Sequence, residues 1–276
     1  MDRTTSESAG APIRAITLMY HDVLPDDRFD ASGFPGPGAA RYKLRVDEFE
    51  RHLSAISPAR AKAGVTVFDL RAGTSRSGLP VLLTFDDGGA TAASQIVDRI
   101  ERFGWRGHFF IPTNYLGKAT FLDRAAIREI HRRGHVIGSH SASHPPRLSA
   151  CTRARMLEEW RTSVAVLSDI VGERVRIASV PEGYYSPLVG ETAAEAGMEA
   201  LFTSEPTSRC RRDGGCLVLG RHAVQRGMSP AAVGALAAGR LLPALQQSLL
   251  WGVKEIGKQV GGEHYLKLRT LLLRRR

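Results

Sequence analysis

Cysteine is scarce: Cys151, Cys210 and Cys216 are the three in 276 residues. An odd and sparse set argues against a disulfide framework and suits a reducing compartment. Cys210 and Cys216 flank Arg211-Arg212 and Gly214-Gly215. They read as a free, partly exposed pair able to meet in a hairpin, and they lack the partners for a zinc site. No apolar run approaches membrane-spanning length, and Met1 to Pro12 is polar and small without an apolar segment. Neither a transmembrane helix nor a signal peptide is therefore expected, which makes a cytoplasmic location the expectation. Acidic residues are in deficit, 28 against 38 lysines and arginines, for a net charge of +10. Such a balance suits an acidic partner: a nucleic acid, an anionic membrane surface, or a phosphorylated or acidic substrate. Because basic and aromatic residues are not interleaved and no binding motif is recognisable, nucleic acid is not expected. With 43% apolar and 24% charged residues, the chain is ordinary globular material, enough for one large domain or two small ones.

What is present is an alternation of strand and helix patterns. Strands are expected at Ile13–Tyr20, Val65–Leu70, Val81–Phe85, Gly107–Ile111, His135–Ser139, Val175–Val180, Leu201–Thr203 and Cys216–Val224. Helices are expected at Val46–Ile56, Ala92–Phe103, Asp123–Arg133 (capped by Asp123), Thr152–Val171 and Ser186–Gly197. Seven or eight parallel β/α units in this length predict a closed or nearly closed barrel, with its chemistry at the C-terminal ends of the strands. Leu24 to Arg41 is a loop rich in Gly, Pro and Asp, of the length usually found in functional or disordered segments. The division expected is a flexible tail over 1–12, a barrel domain over 13–228 and a helical, basic extension over 229–276. In the extension, Leu241-Leu242, Leu245, Leu249-Leu250-Trp251 and Val253 recur at helical spacing before Lys254, Lys258, Lys267, Arg269 and Arg274-Arg275-Arg276. A basic amphipathic helix of this kind suits an anionic membrane surface, or else packs across the barrel with a solvated tail.

Two stretches carry chemistry. Leu82-Leu83-Thr84-Phe85-Asp86-Asp87-Gly88-Gly89 reads as a buried strand running out into two carboxylates and a glycine turn. The turn lets both acids approach one site, one to hold a metal and one to take a proton; alone, the pair could equally be an Asx turn or a helix cap. The second stretch is Gly138-Ser139-His140-Ser141-Ala142-Ser143-His144-Pro145-Pro146. Its two histidines, four apart at a strand exit, can converge on one ion. With a carboxylate they make a facial set with open positions, suited to zinc or another divalent first-row metal.

Thr84-Phe85-Asp86-Asp87-Gly88 and His140-Ser141-Ala142-Ser143-His144 resemble the first two motifs of the polysaccharide deacetylases, the NodB-homology carbohydrate esterases. The resemblance covers roughly Ile13 to Val224 and implies a distorted (β/α) barrel of seven or eight strands. It implies Asp86 as catalytic base and Asp87, His140 and His144 as ligands of a divalent metal, Zn2+ foremost, with Co2+, Ni2+, Fe2+ or Mn2+ as alternatives. The family's third motif, an arginine followed by Pro-Pro-Tyr-Gly or similar, meets Ser179-Val180-Pro181-Glu182-Gly183-Tyr184 here. Pro181, Glu182, Gly183 and Tyr184 then line the substrate, with the backbone N–H of Glu182 as oxyanion donor. The arginine that would orient Asp86 is replaced by Ser179. Leu18-Met19-Tyr20-His21 resembles the Leu-x-x-His motif as it opens the circularly permuted members, which makes His21 the expected general acid. His222, in Leu219-Gly220-Arg221-His222, is the alternative.

The activity implied is metal-dependent removal of N-acetyl groups from an amino-sugar glycan. Asp86 would take a proton from water, and His21 would protonate the departing amine. The expected substrate is a lipid-linked or nascent exopolysaccharide or envelope glycan met at the inner face of the membrane. The alternative, prompted by Ser179 and Glu182, is a catalytically weakened chain that binds glycan or scaffolds a synthesis complex.

Overall fold

The computed structural model describes residues 13–59, 65–72 and 79–240. Its centre is one sheet of nine strands: β1 (Ile16–Tyr20), β2 (Val81–Phe85), β3 (Gly107–Ile111), β4 (Val136–Ser139), β5 (Ile177–Ser179), β6 (Ala200–Phe202), β7 (Arg211–Asp213), β8 (Cys216–Leu219) and β9 (His222–Ala223). The spatial order is β9-β1-β2-β3-β4-β5-β6-β8-β7. All neighbours are parallel except β7, which runs antiparallel to β8.

The sheet curls without closing its hydrogen-bond ladder. β8 and β9 are consecutive in sequence yet lie near opposite edges, so Gly220 and Arg221 carry the chain across the gap. Elsewhere the gap is narrowed by a short antiparallel bridge between Arg14 and Arg209, where the Ala15 N–H donates to the Ser208 carbonyl and the Cys210 N–H to the Ile13 carbonyl, each at 3.0 Å. The result is a distorted, partly open barrel.

Alternation along the strands sorts side chains into two layers. Leu18, Tyr20, Leu83, Phe85 and Phe109 point outward and pack with Phe49, Leu53 and Ile56 of the Val46–Ile56 helix. Tyr20, Phe85 and Phe109 form a stack with centroids 5.8 and 4.9 Å apart. Leu82, Phe110, Ile177, Phe202 and Leu219 point inward and fill the barrel. Gly138 has no side chain because none fits: a Cβ there would lie 2.6 Å from Phe110 and 2.9 Å from Ile177. The next residues along these same inward rows are Asp86, His140, Ser179 and Arg221, so the apolar interior ends in a polar layer at the strand exits.

Four expectations need correction. Val65–Leu70 is no strand: Thr66 caps a helix over Val67–Arg71, with a capping box in which Thr66 and Asp69 bond each other's backbone N–H. This local hydrogen bonding overrides the strand propensity of an apolar run. Cys216–Val224 is two strands on opposite sides of the gap rather than one. The helix expected over Ala92–Phe103 begins as a π-turn, Ala92–Ile96, before Val97–Glu101. Cys210 and Cys216 are free thiols as expected and Cys210 is partly exposed, but Cys216 is buried. Pro230–Ala237, placed by sequence in the extension, is a helix whose Val233, Leu236 and Ala237 join the main core. The rest of the extension, 241–276, and the tail, 1–12, lie outside the described residues. No helix among the described residues is long and apolar enough to cross a membrane.

Candidate active site

Asp86 follows β2 directly and continues its inward row. Its N–H donates to the Tyr20 carbonyl at 3.0 Å, so the ladder runs up to the acid itself. Asp87 would face the opposite side if the strand went on. Instead its backbone is left-handed (φ 72°), which swings the carboxylate back toward Asp86's side; Gly88 follows at φ 61°. The turn fits closely against the chain, since a Cβ on Gly89 would lie 1.9 Å from the buried Asp22 carboxylate.

His140 leaves β4 on its inward row, and Ser141 and His144 adopt left-handed backbone (φ 62° and 53°). The turn between them is tied down by a carboxylate from the long helix Arg153–Val171. Glu159, 1% exposed, accepts the N–H groups of Ala142 (2.9 Å) and Ser143 (2.7 Å) on one oxygen and the Ser143 hydroxyl (2.6 Å) on the other. His140 Nε2 and His144 Nε2 lie 3.4 and 3.5 Å from Asp87 Oδ1. One ligand atom from each of Asp87, His140 and His144 falls within 4.8 Å of the other two.

These residues fit a divalent first-row ion. His140 Nδ1–H points at the Ser179 carbonyl (3.1 Å) and hydroxyl (2.6 Å), which selects the tautomer whose Nε2 lone pair faces the site. Two imidazoles and one carboxylate from a buried turn leave coordination positions open for water and substrate.

The sequence reading left Asp86 without its orienting arginine, and the structure supplies one from another strand. Arg221, completely buried in the gap between β8 and β9, places Nη1 2.7 Å from Asp86 Oδ1 and Nη2 2.8 Å from Oδ2. It also donates to the Thr203 carbonyl at 2.9 Å. Ser179, at the position of the family arginine, lies beneath both groups: its hydroxyl donates to Asp86 Oδ1 at 3.3 Å while accepting from His140 Nδ1. Burial alone would raise the Asp86 carboxyl; the Arg221 guanidinium, with His140, outweighs it and holds the group below the usual carboxylate range. Asp87 is likewise driven up by burial but held well below its ordinary value by the His140 and His144 imidazoles beside it. Burial lowers His144 and Asp87 reverses this, leaving the imidazole raised. Arg221 was legible only as the residue beside His222; no sequence signal says that the chain crosses the barrel gap there.

His21 stands at the exit of β1, its ring 4.9 Å from Tyr42, near enough for its charge to act on both Asp86 and Asp87. His222 pairs with Leu18 in the β9–β1 register, three residues below the His21 level, a distance of about 10 Å at about 3.3 Å per residue. Since neighbours on a strand face opposite ways, His222 is turned from the layer that Arg221 enters. Pro181–Gly183 forms a tight turn at the mouth, with Glu182 exposed and left-handed (φ 55°) and its carboxylate acting on His144. Gly183 closes against Ser204, whose Oγ would lie 2.4 Å from a Cβ there. Tyr184 is buried, with the Arg147 guanidinium 5.4 Å from its ring centroid.

Comparisons with known proteins point the same way. The family model for polysaccharide deacetylase matches residues 74–201. The Bacillus subtilis (strain 168) protein YxkH, named for a polysaccharide deacetylase, is 28% identical over 234 residues, covering 81% of this chain and 76% of the relative. A chitin deacetylase of Arthroderma benhamiae is 31% identical over 117 residues, 42% of this chain and 31% of that protein. Among solved structures, the Streptococcus pyogenes deacetylase PplD in complex with acetate superposes with TM-score 0.65 at 20% identity over 80% of this chain and 96% of the other. IcaB from Ammonifex degensii gives TM-score 0.65 at 22% identity, over 82% and 97%. Taken with the Asp-Asp strand exit and the paired histidines, the family match over 74–201 and the curated relatives support a NodB-homology polysaccharide deacetylase, and the solved structures share its fold.

Proposed function

We propose that this chain hydrolyses the N-acetyl group of an amino-sugar glycan, with Asp86 as base and Asp87, His140 and His144 as holders of a divalent metal, Zn2+ first among the candidates. The observation that carries the reading is the two-point contact of buried Arg221 with Asp86. Of the two departures that prompt a weakened, binding-only reading, Ser179 and Glu182, a guanidinium on Asp86 from position 221 answers the first. Arg221 keeps Asp86 ionised and fixes its plane, as a base that must take a proton near neutral pH requires. A metal held by the triad supplies Lewis-acid polarisation of the acetyl carbonyl and acidifies water. The Glu182 N–H at the mouth is the donor for the developing oxyanion, and His21 is the acid for the leaving amine.

The finer substrate is a lipid-linked or nascent exopolysaccharide or envelope glycan, met at the cytoplasmic face of the membrane. The basic amphipathic sequence over 241–276 supports it. Acetate release from a tetramer of N-acetylglucosamine, measured with zinc-loaded protein, tests the activity. Release by the wild type and loss of it in Asp86→Asn is the expected outcome; turnover surviving in Asp86→Asn refutes the assignment. Co-sedimentation with anionic vesicles tests the location, and binding that survives removal of residues 261–276 counts against it.

A further inference from the structure

The Gly-Pro loop after His21 is held with unusual investment for a surface segment. Lys43 is 1% exposed, and its ammonium donates all three N–H groups to carbonyls of this one loop: Phe29 (2.7 Å), Ser32 (2.5 Å) and Phe34 (2.6 Å). Taking an ammonium out of water costs several kcal/mol unless its donors are satisfied, so this geometry fixes the loop's shape rather than adding core. Asp22, next to His21 and 2% exposed, accepts the Ser32 and Thr91 hydroxyls at 2.8 Å each. Gly33, left-handed at φ 63°, donates its N–H to the Thr120 carbonyl at 2.7 Å and accepts the Thr120 hydroxyl at 3.0 Å.

All these ties converge on Phe34. Its ring, on a partly buried residue, lies 4.6 Å from His144, one of the metal-holding side chains, and packs edge-on against Tyr115 (4.7 Å) and Phe121 (5.1 Å). Tyr115 is also partly buried, with the Lys118 ammonium 4.0 Å from its ring centroid. The polar groups of the site gather around the same histidine: Asp86, held by Arg221, and Glu182, whose carboxylate acts on His144. Ligand sites for rings combine apolar aromatic surface with a few placed polar groups. A pyranose has an apolar face of C–H groups and a polar edge of hydroxyls, which match this aromatic surface and these polar groups.

We propose that Phe34, backed by Tyr115, is the platform on which a pyranose ring of the substrate packs beside the metal-holding residues. The proposal rests on the deacetylase reading for the chemical class of the ring, and its test reads binding apart from turnover. A tetramer of N-acetylglucosamine is titrated calorimetrically into zinc-loaded protein carrying Asp86→Asn, so that substrate is not consumed, with and without Phe34→Ala. Loss of the aromatic face in Phe34→Ala weakens binding about tenfold, which is about 1.4 kcal/mol, and Phe34→Tyr stays within about twofold. Zinc affinity, from competition with a chelating dye, stays the same in Phe34→Ala. With Asp86 intact, Phe34→Ala raises KM far more than it lowers kcat.

Equal binding in Phe34→Ala, or no binding of the tetramer to the parent protein, overturns the platform. A loss of zinc in Phe34→Ala overturns it too, since the ring would then act through His144. Tetramer binding that depends on Phe34 in a chain that releases no acetate supports the platform and refutes only the hydrolytic reading.

Discussion

Replacing Arg221 by Met leaves Asp86 in a buried layer without its guanidinium. The two side chains are 0% and 4% exposed and meet through two bonds, at 2.7 and 2.8 Å, so little solvent can take over the lost partner. Breaking one side of such a buried pair costs about 3–5 kcal/mol because the remaining charge is uncompensated. His140 and the Ser179 hydroxyl still favour the ionised acid, which puts the expectation at the lower end, about 3 kcal/mol. Loss of the guanidinium raises the Asp86 carboxyl from its depressed value. In the wild type this group's depressed pKa contributes stability that is present above its unfolded value and lost as pH falls through the folded one. In Arg221→Met the folded pKa rises toward the unfolded value, so that contribution shrinks. The assay is the pH dependence of kcat/KM for acetate release, with bound zinc measured on the same samples. The acidic limb is expected to move to higher pH at full metal content. An unmoved acidic limb, or activity lost together with zinc, would refute the argument that Arg221 acts by keeping Asp86 ionised. Arg221→Lys keeps a charge but not the two-point geometry and should fall between the two.

The two histidine candidates separate by site and depth. His21→Ala should lower kcat about 10²–10⁴-fold while zinc stays bound, whereas His222→Ala, a change in a buried layer below the site, should lower the urea midpoint and leave the pH profile in place; the reverse pattern would exchange their roles. Glu159→Gln removes the charged acceptor beneath the His140–His144 turn, and zinc binding should weaken about 10–100-fold, as for other groups that orient metal ligands. Isothermal titration with zinc checks this, and unchanged affinity would mean that the two left-handed residues hold the turn unaided.

The sequence by itself determined the parts whose signal is local. The Val46–Ile56 helix and the Val81–Phe85 and Gly107–Ile111 strands lie where apolar periodicity places them, because the face that periodicity marks is the face each element buries. Asp86, Asp87, His140 and His144 were legible because a strand exit, a glycine turn and a four-residue histidine spacing restrict where side chains can go within a few residues. Local hydrogen bonding misled the same reading at Val67–Arg71, where the Thr66–Asp69 box makes a helix from residues that look like a strand. Only the tertiary structure decided the partner of Asp86. Arg221 is 135 residues away along the chain, and it reaches the acid because β8 and β9 lie on opposite sides of the barrel gap, with the chain between them crossing it. The same holds for Phe34, whose ring reaches His144 only because Lys43, Asp22 and Thr120, drawn from three separate stretches, fix the loop that carries it. Spacing along a strand or turn sets which residues share a face, whereas the register and closure of the sheet set which faces meet, and those arise from packing the whole chain.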